Sequence, residues 1–249
     1  MKPAKSPINP LQGRRSRRQI LQFFSAMGGS VFLKACLPNS RSNISAQTTQ
    51  SQMPTGCIVR PELAEGPVFV EDDLNRSDIR PDPSNGAISE GIPLYLTFRI
   101  SSIENNACTP LANAQVDLWQ CDAHGIYSDT SELGMNTVGQ KFLRGYQKTN
   151  NEGLANFTSI YPGWYPGRAI HIHIKVRTTE GYDFTSQLFF DSQLTEIIFA
   201  QAPYKEHGQG WTRNEADGIY RRGGQEMILP IEKKEKGYTA SFDIALALS

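Results

Sequence analysis

What this sequence lacks narrows the reading first. No apolar run approaches the roughly 20 residues that cross a bilayer, so a polytopic membrane protein is excluded. Helix-period patterning is scarce, and there is no internal repeat. Acid is wholly absent from residues 1–46, which carry eight Lys/Arg and no Asp or Glu. Subtracting them turns a neutral chain into a body with 17 basic and 25 acidic residues, a net of −8. No segment of that acidic body holds a basic cluster, which argues against nucleic acid as a partner. Hydrophobic residues at 39% and charged residues at 20% exclude a disordered or collagen-like chain. The 249 residues exceed a typical domain, yet all-β domains run to about 200–250. One globular domain with an N-terminal appendage is the expected organisation.

The appendage reads as an export signal. Arg17-Arg18 precedes a short apolar stretch, Phe23–Leu33, interrupted by Gly28-Gly29, and a Ser/Asn/Gln/Thr-rich segment follows. That order matches a twin-arginine signal peptide over 1–46, with a polar linker over 47–54 and the domain over 55–249. The product is then exported, to the periplasm or another extracytoplasmic space, with no membrane span after processing. Cys36 leaves with the signal or carries a lipid. Cys57, Cys108 and Cys121 remain in an oxidising compartment, where one disulfide and one free thiol are expected. The spacing does not say which two pair.

Strand patterns dominate the body. Leu94, Leu96, Phe98 and Ile100 alternate with Tyr95, Thr97 and Arg99, the period of a strand with one buried face. Val116–Trp119, Ala155–Ile160, Ile170–Val176 and Gln187–Phe190 follow, punctuated by turn signals at Asn113, Asn151–Gly153 and Pro162-Gly163. Met227–Ile231 and Tyr238–Ile244 read as a hairpin around Gly237. Leu194–Ala202 is the one short helix expected. The fold class is mainly β: an antiparallel β-sandwich core with long loops and few short helices.

Chemistry concentrates in His171-Ile172-His173. In a strand, residues two apart share a face, so both imidazoles converge while Ile172 points away. Such a pair suits a transition metal, although by itself it is more often a pair of surface or satisfied histidines. Just upstream, Tyr161-Pro-Gly-Trp-Tyr-Pro-Gly-Arg168 is a turn-dense segment able to hold Tyr165 over the strand mouth. Tyr127 lies past another strand end, in Trp119-Gln-Cys-Asp-Ala-His-Gly-Ile-Tyr127. Each tyrosine taken alone is more commonly an aromatic plug packing a loop.

Together, Cys57–Pro67, Asp117–Tyr127, Tyr161–His173 and Thr185–Phe190 resemble, in order, consecutive blocks of the intradiol ring-cleavage dioxygenases, and most of all an exported twin-arginine branch of that family. The resemblance implies a non-haem Fe(III) held by Tyr127, Tyr165, His171 and His173. Two phenolates suit the ferric state and two neutral imidazoles complete the protein set. It implies cleavage of a catechol-type aromatic diol by O2 to a cis,cis-muconate-type diacid, with Tyr165 displaced by the diol. Arg168 would stabilise negative charge on the ring, and Gln187 would add a hydrogen bond in the pocket. His124, in a turn where the family varies, reads as exposed. A surface arginine, or one paired to an acid such as Asp183, is the alternative for Arg168.

Two departures stand out. The Tyr165–His171 gap is shorter than in the cytoplasmic enzymes, and no counterpart of their N-terminal helical region is seen. Both leave the ring substituents and any oligomer open. Two other readings compete: a non-catalytic β-sandwich binding module, and a zinc hydrolase that adds Asp183 or Asp191 to the histidines.

Overall fold

The most regular alternation in the sequence forms the hub of the first sheet. In the computed structural model, which describes residues 56–105 and 107–248, β1 (Pro93–Glu104) buries Leu94, Leu96, Phe98 and Ile100 and turns Tyr95 and Arg99 outward. The segments read as signal and linker, 1–46 and 47–54, lie outside the described residues. One edge of β1 pairs antiparallel with β5 (Leu154–Ile160) and then with β2 (Ala107–Pro110). Its other edge pairs with β9 (Tyr238–Leu246), and this pairing is parallel, so the sheet is mixed.

A second, all-antiparallel sheet runs β4 (Arg144–Lys148), β3 (Gln115–Trp119), β6 (His171–Arg177), β7 (Asp183–Phe189). Val116 and Leu118 of β3, Ile172, Ile174 and Val176 of β6, and Leu188 of β7 join the β1 residues and Phe157 in one core. Packing two sheets over such a core makes the β-sandwich.

The short helix α1 (Ser192–Phe199) begins where Asp191 accepts from the amides of Gln193 and Leu194, an N-cap that meets two otherwise unpaired donors. The C-terminal hairpin exists, but its first strand is not Met227–Ile231. That strand is β8, only Glu232–Lys233, paired with β9. Residues Gly224–Met227 form a 3₁₀ turn that buries Met227, and Ile228 bridges to Phe189 of the other sheet. Apolar side chains there serve packing against β7, and alternation alone cannot separate that role from pairing.

Cys57 and Cys108 form the disulfide, clipping the segment before the sandwich onto β2 across 51 residues, while Cys121 is free and buried. Burial raises the Cys121 thiol far above its ordinary value. Closing a loop of this length stabilises a fold by about 2–4 kcal/mol. The double variant Cys57→Ser/Cys108→Ser is expected to lose that amount in urea unfolding. Cys121 is expected to resist thiol reagents until the protein unfolds.

Candidate active site

The four-stranded sheet has a second buried face, and the site is built on it. While Ile172 and Ile174 enter the sandwich core, His171 and His173 project from the opposite side of β6, both essentially inaccessible. Register sets their neighbours: His173 lies across from Trp119 on β3 and from Gln187 on β7. Trp119 stacks on the His173 ring, 4.9 Å between centroids and 10° from parallel. The segment after Cys57 covers this face, with Leu63 N donating to Thr185 O at 3.0 Å and Lys175 paired to Glu65 at 2.9 Å.

The two tyrosines arrive on loops that pack backbone to backbone. Gly163 N donates to Asp122 O at 2.9 Å. A side chain at Gly163 would meet the carbonyl oxygens of Asp122 and Ala123 at 2.5 Å, and one at Gly125 would meet Trp164 O at 2.0 Å. Only glycine permits so close an approach. The contact locks the loop carrying Tyr127 to the loop carrying Tyr165. Tyr127 is fully buried with Trp119, Cys121 and Val68, whereas Tyr165 is half-buried at the floor of a cleft of about 630 Å³ that also reaches Arg168.

The polar tips of the four side chains converge. Tyr127 Oη lies 3.1 Å from His173 Nε2 and 3.4 Å from His171 Nε2. Tyr165 Oη lies 3.1 Å from His171 Nε2, and the two Nε2 atoms are 3.2 Å apart. His171 Nδ1 donates to Ala169 O at 2.6 Å, which assigns its proton to Nδ1 and leaves the Nε2 lone pair facing the cluster. Four donors about 2 Å from a common centre would be separated by roughly 3.3 Å, so these edges fit the shell of a small transition-metal ion. Among the described residues, no group of three or more His, Cys, Asp or Glu is placed to hold a metal. An ion here would have to draw on the phenols.

Burial governs the protonation states. It raises the Tyr127 hydroxyl well above its ordinary value, reinforced by Tyr165. It pushes Tyr165 up to about 12 against the opposing charge of Arg168. His171 is lowered to about 3 by burial and then by Arg168, and His173 is lowered for the same first reason with His171 adding to it. Without a cation the cluster is neutral. A bound cation reverses the phenol shifts, because it stabilises the phenolates directly.

Arg168 ties the cluster to its surroundings. Its Nη1 donates to Tyr165 Oη at 3.4 Å, its Nη2 to Gln187 Oε1, and its Nε to Asp217 Oδ2 at 2.9 Å. The buried Gln187 donates in turn to Ala64 O at 2.6 Å. Arg168 therefore pairs with Asp217 and not with Asp183, which instead faces Lys175 at 3.5 Å. Asp191 is used as the helix cap, so neither acid suggested for a hydrolase stands with the histidines. His124 is exposed and lines the cleft rim beside His207.

Asp217 is the residue that sequence reasoning missed. It is fully buried and also accepts from the amides of Ala169 at 2.8 Å and Ile219 at 2.6 Å. It lies 49 residues from Arg168, in a segment with no local motif, so no sequence signal marks it.

Comparison with known proteins agrees with this architecture. A family model described as Dioxygenase matches residues 64–246. An intradiol ring-cleavage dioxygenase from Tetranychus urticae superposes with a TM-score of 0.67 at 32% identity, covering 77% of this chain and 95% of that one. The protocatechuate 3,4-dioxygenase beta chain of Burkholderia cepacia is 25% identical over 223 residues, 85% of this chain and 87% of its own length. Catechol 1,2-dioxygenase of Candida albicans is 26% identical over 189 residues, 65% of this chain and 54% of that protein. The chain thus spans about half of that last relative. It belongs to the intradiol ring-cleavage dioxygenase family.

Asp217 supplies a test of the network. Burial pushes its carboxyl up, but the Ala169 amide, the Arg168 charge and the Ile219 amide outweigh that and hold it below the ordinary value of 3.8. Its contribution is therefore complete above the ordinary carboxylate range and is lost as pH falls below about 4 through the depressed value. Asp217→Ala strands a partly buried guanidinium. Urea unfolding at neutral pH is expected to show a loss of about 3–5 kcal/mol, with the gap to wild type shrinking in acid.

Proposed function

We propose that this protein cleaves a catechol-type diol with O2, breaking the bond between the two hydroxyl-bearing carbons and placing both oxygen atoms in a cis,cis-muconate-type diacid. Tyr127, Tyr165, His171 and His173 would hold a non-haem ferric ion. The observation that carries this reading is the convergence of two phenol oxygens and two imidazole nitrogens on one buried point. Tyrosines that merely packed a binding module would have no reason to aim their hydroxyls at paired imidazoles. When bound, the ion would supply Lewis-acid activation of the diol and a template for its two oxygens.

The protein's own groups divide the remaining work. Tyr165 faces the cleft and touches Arg168, so, as the phenolate that a bound cation would favour, it would be the group placed to take a proton from an incoming diol. Tyr127, sealed behind it, has no such access. Arg168 offers a permanent positive charge beside the oxygen end of the site, where an anionic diol and the charge developing on its ring are stabilised. Gln187 and Asp217 hold that guanidinium from two sides, which fixes its direction before substrate arrives. The apolar cleft walls limit water near the reacting atoms and strengthen these interactions.

We read the chain as exported by the twin-arginine route, with a small aromatic diol and O2 as its partners. The Cys57–Cys108 pair supports an oxidising destination.

Purified protein is expected to bind about one iron per chain and to show a visible phenolate-to-iron band that catechol shifts. Tyr127→Phe and Tyr165→Phe should each change that band. Protein that stays colourless and iron-free after reconstitution would overturn the proposal. Arg168→Ala should retain iron and the resting spectrum but lose roughly 10²–10³ in turnover by oxygen uptake, the scale of removing one such donor. Full activity in that variant would remove Arg168 from the reaction.

A further inference from the structure

The cleft above Tyr165 is far larger than the ring of a simple catechol. A cavity of about 150 Å³ holds a benzene-sized ring, and this one measures about 630 Å³. Its walls are mostly apolar, with Ile126, Leu133, Met135, Trp164 and Pro67 among them and His124 and His207 at the rim, and among the described residues no carboxylate lines it. Charge is equally scarce for a negative substituent. Arg168, the one guanidinium of the lining among the described residues, already directs its three nitrogens at Asp217, Tyr165 and Gln187.

One wall is a fixed aromatic face. Trp164 Nε1 donates to Gly208 O at 3.2 Å, its ring packs on His207 at 4.4 Å, and its outer edge lies where a Cβ at Gly210 would be 2.4 Å away. The indole is therefore held in place before any ligand enters. Leu133 lines the same cleft, and its setting is unusual on two counts. It is 47% exposed, and its φ of +55° is left-handed, followed by Gly134 at +74°. Two positive φ values in the middle of a turn favour Asn, Asp or Gly. The backbone thus disfavours leucine here, and about half of its side chain faces solvent. Met135 ends the same turn, and its sulfur accepts from Tyr127 N at 3.3 Å, which ties this wall to the cluster.

Building on the dioxygenase reading, we infer that the cleft is a subsite for an aryl substituent: the substrate is a catechol carrying a second aromatic ring, seated between Trp164 and the Ile126–Leu133–Met135 wall. Continuity with Tyr165 and Arg168 sets the order, diol at the floor and aryl group toward the mouth. Leu133 gains its apolar contact from that ring.

The test uses the full iron-loaded chain and oxygen uptake with catechol, 3,4-dihydroxybenzoate and 4-phenylcatechol. The KM for 4-phenylcatechol should lie at least about tenfold below that for catechol, given the apolar area a buried phenyl removes from water. The carboxylate substrate should gain no such advantage. Leu133→Asp should erase most of the phenyl-to-catechol ratio. Leu133→Gly should narrow it too while holding or raising the melting temperature, because glycine suits the positive φ. A fall in melting temperature with the KM ratio unchanged would assign Leu133 to the fold and overturn the subsite. Turnover of catechol with no preference for the phenyl compound, or with a preference for the carboxylate, also overturns it and leaves the dioxygenase reading standing. Failure to turn over any of the three diols is the failure of that reading instead. Calorimetric titration with 4-phenylphenol, which needs no turnover, then decides the subsite: saturable binding lost in Leu133→Asp supports it, and no binding overturns it.

Discussion

Two imidazole nitrogens 3.2 Å apart, each within 3.4 Å of a phenol oxygen and shut away from water, are the arrangement on which the site depends. Lone pairs crowded this closely repel unless something positive lies among them. Burial removes the solvent that would otherwise relieve the repulsion. The protein responds in the only ways open to it without a cation, by keeping the phenols protonated and the histidines neutral. Charge returns only at the edge, where Arg168 meets Tyr165 under the hold of Asp217.

Keeping such a cluster together requires a stiff frame. The sandwich provides one by burying both faces of β6, so that the isoleucines anchor the strand from one side while the histidines are presented on the other. Loops then bring in the tyrosines. Their loops are stiffened where Gly125 and Gly163 let main chain lie directly on main chain, a contact any larger residue would force apart. The segment behind the Cys57–Cys108 bridge closes the outer face, and through Ala64 it also positions Gln187.

The two phenols end in different surroundings despite similar chemistry. Tyr127 is sealed among Trp119, Cys121 and Val68, whereas Tyr165 opens onto the cleft and answers to Arg168. Under the proposed reading that asymmetry would suit Tyr127 to a permanent donor and Tyr165 to an exchangeable one, and it comes from the loops and not from the residue type. The same cleft carries Leu133 in a backbone setting that gives it no local advantage.

Much of this was legible in the chain itself. Alternation marked β1, the His-x-His spacing put both imidazoles on one face, and the order of the tyrosine and histidine blocks carried the family resemblance. These signals are local, because strand periodicity and turn chemistry act over a few residues. The parallel β1–β9 pairing, the displaced first strand of the hairpin, the choice of Cys57 with Cys108 and the partner of Arg168 were not legible. Three of these join residues far apart in sequence, and the hairpin strand is displaced because Ile228 is drawn to the remote Phe189; several pairings satisfy the same local pattern equally well. Asp217 is the sharpest case: an aspartate in an unremarkable turn becomes the buried counter-charge of the site only when β6 and the segment after α1 are packed together. The sequence by itself determined which donors this protein has and which face of which strand offers them. Tertiary structure alone decided how close they stand, what charge faces them and how wide the entrance is, because distance, burial and field arise only when remote segments share the same space.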